Sequence, residues 1–442
     1  MGRTVCNTCQ RSFGSQHGLN SHINDVHTFP CKYCPKVFQA QASRSQHVDD
    51  VHTWYCDSCP RSFRSEQSRD QHFDDVHSVN REVDYGAGRG QKLPPAAQGS
   101  IAQDETYGHP PTEDISQIVF ANHSNKLACS SYDGEIRVYN ESTQLIYKTK
   151  LQFGAALGCA WSTDDSSIFG FSALGTVERV TGGTCTQIIG RHADAVLTGK
   201  AFVSANLTIL ATGSLDKTIK YWDIANIQPP GAQLLNGLVL PEKAYAMDVK
   251  HKLLAVAMSN RKVAVVHLDM PAAIAKIFEL EVFQLCSIVC FPDCSGFVVV
   301  PMFVPSHQTH LTRPHLRRLG DKTFSFECHR VYPKTMDGPA LAFPVRAIAI
   351  HPDRHTLATA ASDGRFIFWN KDTGHQPREF PSVGYSIVSA SFSPDGMYFA
   401  YAMSYDWSWG PEGKPTVAVA AIKRHKVSDN DTKPGLIGWR SS

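Results

Sequence analysis

GSLDKTIKYWD, residues 213–223, decides the fold of this chain. A turn of small residues and Asp leads into TIKYW, whose alternation suits a half-buried strand, and the strand closes on Trp222-Asp223. RHADAV at 191–196 stands just ahead of it, so His192, Ser214, Asp216 and Trp222 fall into one unit. Around that unit one pattern recurs from residue 111 onward: an apolar strand, a turn, a second apolar strand, then an Asp-Gly or small-residue turn. The first strands end near Phe120, Trp161, Phe202, Val249, Phe291, Ile350 and Phe392, at intervals of 41, 41, 47, 42, 59 and 42 residues.

A period of about 40–45 residues with several short strands per unit is the signature of WD-type propeller blades. Seven starts predict a mainly β, seven-bladed WD-repeat propeller over residues 111–426, with 427–442 as a C-terminal tail. The segment before Phe120 is expected to close the ring by pairing with the last blade. His192, Ser214 and Asp216 have the residue types of a catalytic triad, but in a WD unit they form with Trp222 a buried hydrogen-bond network that ties strands together. No other nucleophile, acid pair or phosphate loop stands out, so the chain is not expected to be an enzyme. Cys286, Cys290 and Cys294 in LCSIVCFPDC read as core cysteines.

The N-terminal 77 residues follow a different rule. Cys6, Cys9, His22 and His27 have the spacing C-x2-C-x12-H-x4-H, and it recurs as Cys31, Cys34, His47, His52 and as Cys56, Cys59, His72, His77. Zinc takes four tetrahedral nitrogen or sulfur ligands, which a short hairpin and a following helix supply as two thiolates and two imidazoles. Phe13, Phe38 and Phe63 each stand four residues after the second cysteine, where the small two-cysteine two-histidine zinc finger carries its core aromatic. Three ββα fingers are therefore expected over 4–27, 29–52 and 54–77, each folding around one structural zinc ion.

Duplex DNA is a poor match for this block. Residues 1–80 hold eight Lys or Arg against eight Asp or Glu, while phosphate neutralisation normally supplies most of the affinity. The helix positions that usually reach bases fall on Ser, Gly, Ala and Gln residues, none able to grip guanine bidentately. Only Thr53, Trp54 and Tyr55 separate His52 from Cys56, a spacer that favours one compact block. Arg44 and Arg69 replace the apolar helix residue that is Leu19 in the first finger. They either snorkel past the small core or face an RNA or acidic protein surface. Residues 78–110, rich in Gly, Pro and Gln without period, read as a flexible linker.

Composition narrows the class further. The 442 residues are 42% hydrophobic, with a formal charge of +2, so no general attraction to nucleic acid or membrane follows from charge. Six of the thirteen cysteines sit in pairs within the first 60 residues, which suggests metal rather than disulfides. FVVVPMFV at 297–304 is far short of the roughly 18 residues a membrane span needs, and the N-terminus lacks the apolar core of a signal peptide.

GSLDKTIKYWD, LPEKAYAMDV at 240–249, KTFSFECHR at 322–330, HPDRHTLATAASDGRFIFWNKD at 351–372 and SPDGMYFAYAMSYDWSWG at 393–410 resemble one propeller family, the nuclear-pore-associated mRNA export factors of the RAE/GLE type. Tyr405-Asp406-Trp407-Ser408 looks like these rather than the related spindle-checkpoint propellers. The resemblance implies a nuclear and nuclear-pore scaffold, shuttling to the cytoplasm, that binds a GLEBS-type segment of an FG nucleoporin and mRNA or ribonucleoprotein. It makes Arg365, Lys371 and Arg378, beside Arg44 and Arg69, the candidate nucleic-acid or partner contacts. A zinc-finger nucleic-acid-binding regulator with a propeller platform and a checkpoint-type scaffold are the competing readings. Three stretches depart from the family pattern. SALGTVERVTGG at 172–183 lacks the Asp and Trp of its turn, and NKDTGHQPREF after Trp369 keeps only Lys371 and Arg378 of a basic run. MFVPSHQTHLTRPHLRRLGD at 302–321 shows no strand alternation, which leaves the folding of the fifth blade open.

Overall fold

The computed structural model describes residues 4–6, 11–27, 29–30, 37–38, 54–55, 62–63, 97–183, 185–280, 285–301, 315–318, 323–325, 328–331, 341–353, 356–371, 378–406 and 420–432. The chain divides into two compact units, Met1–Leu93 and Pro94–Ser442.

In the first unit, three two-residue hairpins pair Thr4–Val5 with Ser12–Phe13, Phe29–Pro30 with Val37–Phe38, and Trp54–Tyr55 with Ser62–Phe63. Each contains the aromatic that follows a cysteine pair. The helix Gln16–His27 follows the first hairpin, and the Ser15 hydroxyl caps it by accepting the Gly18 N–H at 3.1 Å. Leu19 is buried on its inner face.

The second unit is a WD-type propeller of antiparallel sheets, six with four strands and one with five. The inner strands are Ile115–Phe120, Ala156–Trp161, Val196–Ser204, Ala244–Lys250, Leu285–Cys290, Val345–Ile350 and Ile387–Phe392. Each adjoins the next, and the last adjoins the first, so they line a closed ring. The second strands are wholly buried where they read LLAVAM, GFVVVP and TLATAA, because neighbouring sheets cover both of their faces. Side chains stitch the ring. The Gln117 carbonyl accepts the Cys159 N–H at 3.0 Å, Thr198 accepts Met247 N–H at 3.1 Å, Asp248 accepts Cys290 N–H at 2.8 Å, and Ser389 accepts Ile118 N–H at 3.0 Å.

Several expectations change here. Glu105–Thr106 pairs with the last sheet, as expected of the segment before Phe120. Ala97–Gln98 joins the sixth sheet instead, parallel to Arg378–Glu379, and makes that one five-stranded. Strands thus begin inside the stretch read as linker, because a sheet edge offers its backbone groups to a passing chain. Gly99 permits the approach, since a Cβ there would stand 2.3 Å from Phe380 Cδ1. The tail is not all tail either. Asp429–Thr432 is one helical turn with Asp431 and Thr432 buried.

In the fifth sheet His315–Arg318 supplies a third strand, pairing Leu316 with Val298. Backbone pairing overrides the missing alternation there. The second sheet replaces the absent Asp with a buried relay: Ser172 and Thr176 hydroxyls lie 2.7 Å apart, and Thr176 donates to Glu178 at 3.0 Å. Gly175 makes that turn at φ +80°, with no room for a Cβ beside the His192 carbonyl.

Candidate functional site

His192, Trp222 and Asp216 come together through a residue the sequence reading missed. The Trp222 indole N–H donates to Thr212 Oγ1 at 2.9 Å, and Thr212 lies 2.8 Å from His192 Nε2. His192 Nδ1 faces Asp216 at 3.1 Å and Thr218 at 3.0 Å. Burial pushes the His192 pKa down to about 4 against the pull of Asp216, so the ring is neutral, with Nδ1–H donating and Nε2 accepting. Ser214 does not touch the imidazole. Its hydroxyl donates to the Asp194 carbonyl at 3.0 Å and accepts the Asp216 N–H at 3.1 Å. With no contact between serine and base, the set holds strands together and lacks the geometry of a triad.

The same device occurs in the sixth sheet. His329 Nδ1 faces Asp363 at 3.0 Å, His329 Nε2 lies 3.0 Å from Thr359, and the Trp369 N–H donates to Thr359 at 2.8 Å. The signal was present in the sequence: Asp and Trp stand four and ten residues after the threonine in both units. Asp406, singled out only as part of a family stretch, accepts from Ser386 at 3.0 Å and from Ser362, and so bridges the last two sheets.

The candidate contacts Arg365, Lys371 and Arg378 are engaged within the propeller. Arg365 donates to Glu379 at 2.6 Å, Arg378 pairs with Asp431 at 3.1 Å, and buried Lys371 lies 5.3 Å from the Phe291 ring centroid. Arg44 and Arg69 lie outside the described residues. Of the proposed zinc ligands, Cys6 and His22 are buried and the His22 ring stands 4.7 Å from that of Phe13, as two ligands under a core aromatic would. The backbone of His27 ends the helix, and Cys9, Cys31, Cys34, His47, His52, Cys56, Cys59, His72 and His77 lie outside the described residues.

What the propeller does present is a channel mouth. In every sheet the second residue of the inner strand is a β-bulge, skipped by the pairing: Ser116, Leu157, Leu197, Tyr245, Cys286, Arg346 and Val388. A bulge re-aims its side chain, and all seven line one cavity of about 410 Å³ that runs down the ring axis. Arg346 is the only charged member. The turns between second and third strands open on this same end, as do the connections into each inner strand. They carry Tyr132 (46% exposed), Leu174 (66%), Tyr385 (50%) and half-buried Phe153. Leu174 lies close to the Gly154 backbone, where a Cβ would stand 3.2 Å from it, and the Arg191 guanidinium lies over the neighbouring Phe153 ring at 4.9 Å. A rigid ring whose loops present apolar and aromatic side chains beside Arg346 and Arg191 suits a docked segment better than a reaction. No helix among the described residues is long and apolar enough to cross a membrane.

Comparison with known proteins agrees with this architecture. The WD domain, G-beta repeat family matches residues 103–140, 183–223 and 330–370, and a zinc-finger of C2H2 type matches residues 54–74. The finger match covers one of the three expected modules. The chain is 34% identical over 354 residues to the Poly(A)+ RNA export protein of Schizosaccharomyces pombe, covering 76% of this chain and 94% of that one. It is 31% identical to the mRNA export factor GLE2 of Chaetomium thermophilum, covering 76% and 94%. It is also 30% identical to the mitotic checkpoint protein BUB3.1 of Arabidopsis thaliana, covering 74% and 93%. Among solved structures, that of U3-55K superposes with a TM-score of 0.59 at 14% identity over 74% of this chain and 99% of that one, a likeness of fold.

Proposed function

The chain belongs to the WD-repeat mRNA export factor family of the RAE/GLE type, and from that membership we propose that it is a non-enzymatic, nuclear-pore-linked adaptor in mRNA export. Its ring of seven blades acts as the platform. The patch of Tyr132, Phe153, Leu174 and Tyr385 at the channel mouth supports this reading, because a helical nucleoporin segment of GLEBS type needs an apolar landing surface on a rigid frame. RNA or ribonucleoprotein is the cargo, and the protein shuttles between nucleus and cytoplasm. An immobilised GLEBS-type peptide should retain the full chain, and Leu174→Asp should reduce retention about tenfold or more by burying a charge in the contact. Failure of the unsubstituted chain to bind would sink the proposal.

Three zinc ions hold the first unit in this reading, one per finger, with the candidate ligands named above. Folding of such small modules depends on metal. Adding a strong chelator should therefore remove the helical circular dichroism of residues 1–77, and restoring zinc should return it; a signal indifferent to both treatments would contradict it. The fingers add a second contact, with Arg44 and Arg69 facing RNA or an acidic protein surface. A checkpoint-type scaffold is the second reading, supported by the resemblance to BUB3.1, and co-purification with kinetochore rather than pore proteins would favour it.

A further inference from the structure

We propose that the central channel of the propeller binds a linear oligophosphate, gripped at the mouth by Arg346 and drawn inward by Lys200 and Lys250. The bulge gives every inner strand a common origin, so depth can be counted from it. Arg346 lies at the origin, Lys200 and Asp248 three residues below it on neighbouring strands, and Lys250 five residues below. Shared depth explains why Lys200 and Asp248 form an ion pair at 3.3 Å. At about 3.3 Å per residue the three cations stand roughly 10 Å and then 7 Å apart along the axis.

All three side chains line the cavity. Arg346, in the sixth sheet, acts on both the Tyr132 phenol of the first sheet and the Cys286 thiol of the fifth. Lys200, in the third, acts on Cys159 of the second and Cys290 of the fifth. Among the described residues no carboxylate or carbonyl bonds the Arg346 guanidinium, although its fork is built for a planar oxyanion. Among the described residues lining the cavity Asp248 is the one carboxylate, and it is already held by Lys200 and the Cys290 N–H. Three cations against one anion inside low-dielectric walls focus a field that attracts anions. A single carboxylate could satisfy Arg346 alone. Linked phosphates, as in free tripolyphosphate or the tail of a nucleoside triphosphate, carry several charges in a line, so one ligand can engage Arg346 and Lys200 together while Lys250 adds to the field from below.

Isothermal titration calorimetry of the full chain at low salt, with sodium tripolyphosphate in one arm and ATP in the other, tests this directly. Tripolyphosphate should bind one to one and weaken as salt is raised. Arg346→Gln, which loses no hydrogen-bond partner among the described residues, should weaken it about tenfold or more, and Arg346→Lys by less. Asp248→Asn keeps an acceptor for the Cys290 N–H while releasing Lys200, and should tighten binding several-fold, an effect that a purely structural role would not produce. Binding by ATP as tight as by tripolyphosphate assigns the nucleotide tail; binding by tripolyphosphate alone assigns the free oligophosphate. No saturable binding in either arm, no loss in Arg346→Gln, or no gain in Asp248→Asn overturns the proposal, provided thermal unfolding shows the variants folded.

Discussion

Phe366→Ala is expected to lower the unfolding free energy of the propeller by about 3–5 kcal/mol. Phe366 is fully buried at the centre of an aromatic cluster shared by the last two sheets. Its ring stacks on Phe380 at 4.2 Å and meets Phe399 at 5.1 Å, Tyr401 at 5.2 Å and both Phe368 and His425 at 5.8 Å. Removing it opens a cavity whose walls are themselves pinned. Phe380 lies against Gly99, and the Tyr401 hydroxyl donates to Asp104 at 2.7 Å, so neither can relax into the gap. Phe366→Leu, which keeps most of the volume, should cost about 1–2 kcal/mol. Urea denaturation monitored by tryptophan fluorescence measures both, and equal losses for the two variants would show that packing around this ring is not what holds the last sheets together.

The second large effect is a dependence on pH with a definite sign. His425 sits between two carboxylates, with Nδ1 2.8 Å from Asp104 and Nε2 3.6 Å from Asp431. Burial favours its neutral form, but the hydrogen bonds and charges of Asp104 and Asp431 prevail and push its pKa up to about 9. In the unfolded chain the ring titrates near its ordinary value of about 6.5. The folded state therefore holds the proton more tightly. Its stabilisation is complete below about 6.5, declines across the window between, and is gone once pH has risen through about 9. The full loss is about 3 kcal/mol. Asp431 titrates the other way: burial raises its pKa, while His425 and Ser428 outweigh burial and hold it at about 2, so its contribution is present at neutral pH and lost as pH falls through about 2. Asp104→Asn removes the nearer carboxylate and should flatten the alkaline slope while lowering stability at neutral pH by about 3 kcal/mol, as breaking a buried pair does. An unchanged alkaline slope in that variant would place the titrating group elsewhere.

Much of the propeller was legible because its repeat imposes a period on strands that must each bury an inner end. Phe120, Trp161, Ile350 and Phe392 end their inner strands as the spacing predicts. What escaped was pairing that carries little side-chain pattern. His315–Arg318 is a strand by virtue of its neighbours, and Ala97–Gln98 by virtue of an open edge. The site was less legible than the fold. The family resemblance marked Arg365, Lys371 and Arg378 as candidate contacts, but Glu379, the Phe291 ring and Asp431, the last from a segment read as tail, engage them. Arg346 passed unnoticed in FPVRAIAI because nothing in one strand shows that its second residue is a bulge aimed at the axis. Laying the seven first strands over one another would have shown it. Thr212 escaped for a similar reason: a threonine in a strand looks like ordinary β propensity until its partner Thr359 is set at the same distance from Asp and Trp.

The strand Glu105–Thr106 gives the molecule a clock as well as a closure. Glu105 accepts from Arg424 Nε at 3.0 Å across 319 residues of sequence. A ribosome adding about 5–20 residues each second needs roughly 15–60 s to supply that partner. During that interval the early sheets can assemble in order, while the sheet edge meant for Glu105–Thr106 does not yet exist. The ring thus closes only once synthesis has passed Arg424, and a chain stopped short of that residue is left with an unpaired strand at Glu105–Thr106.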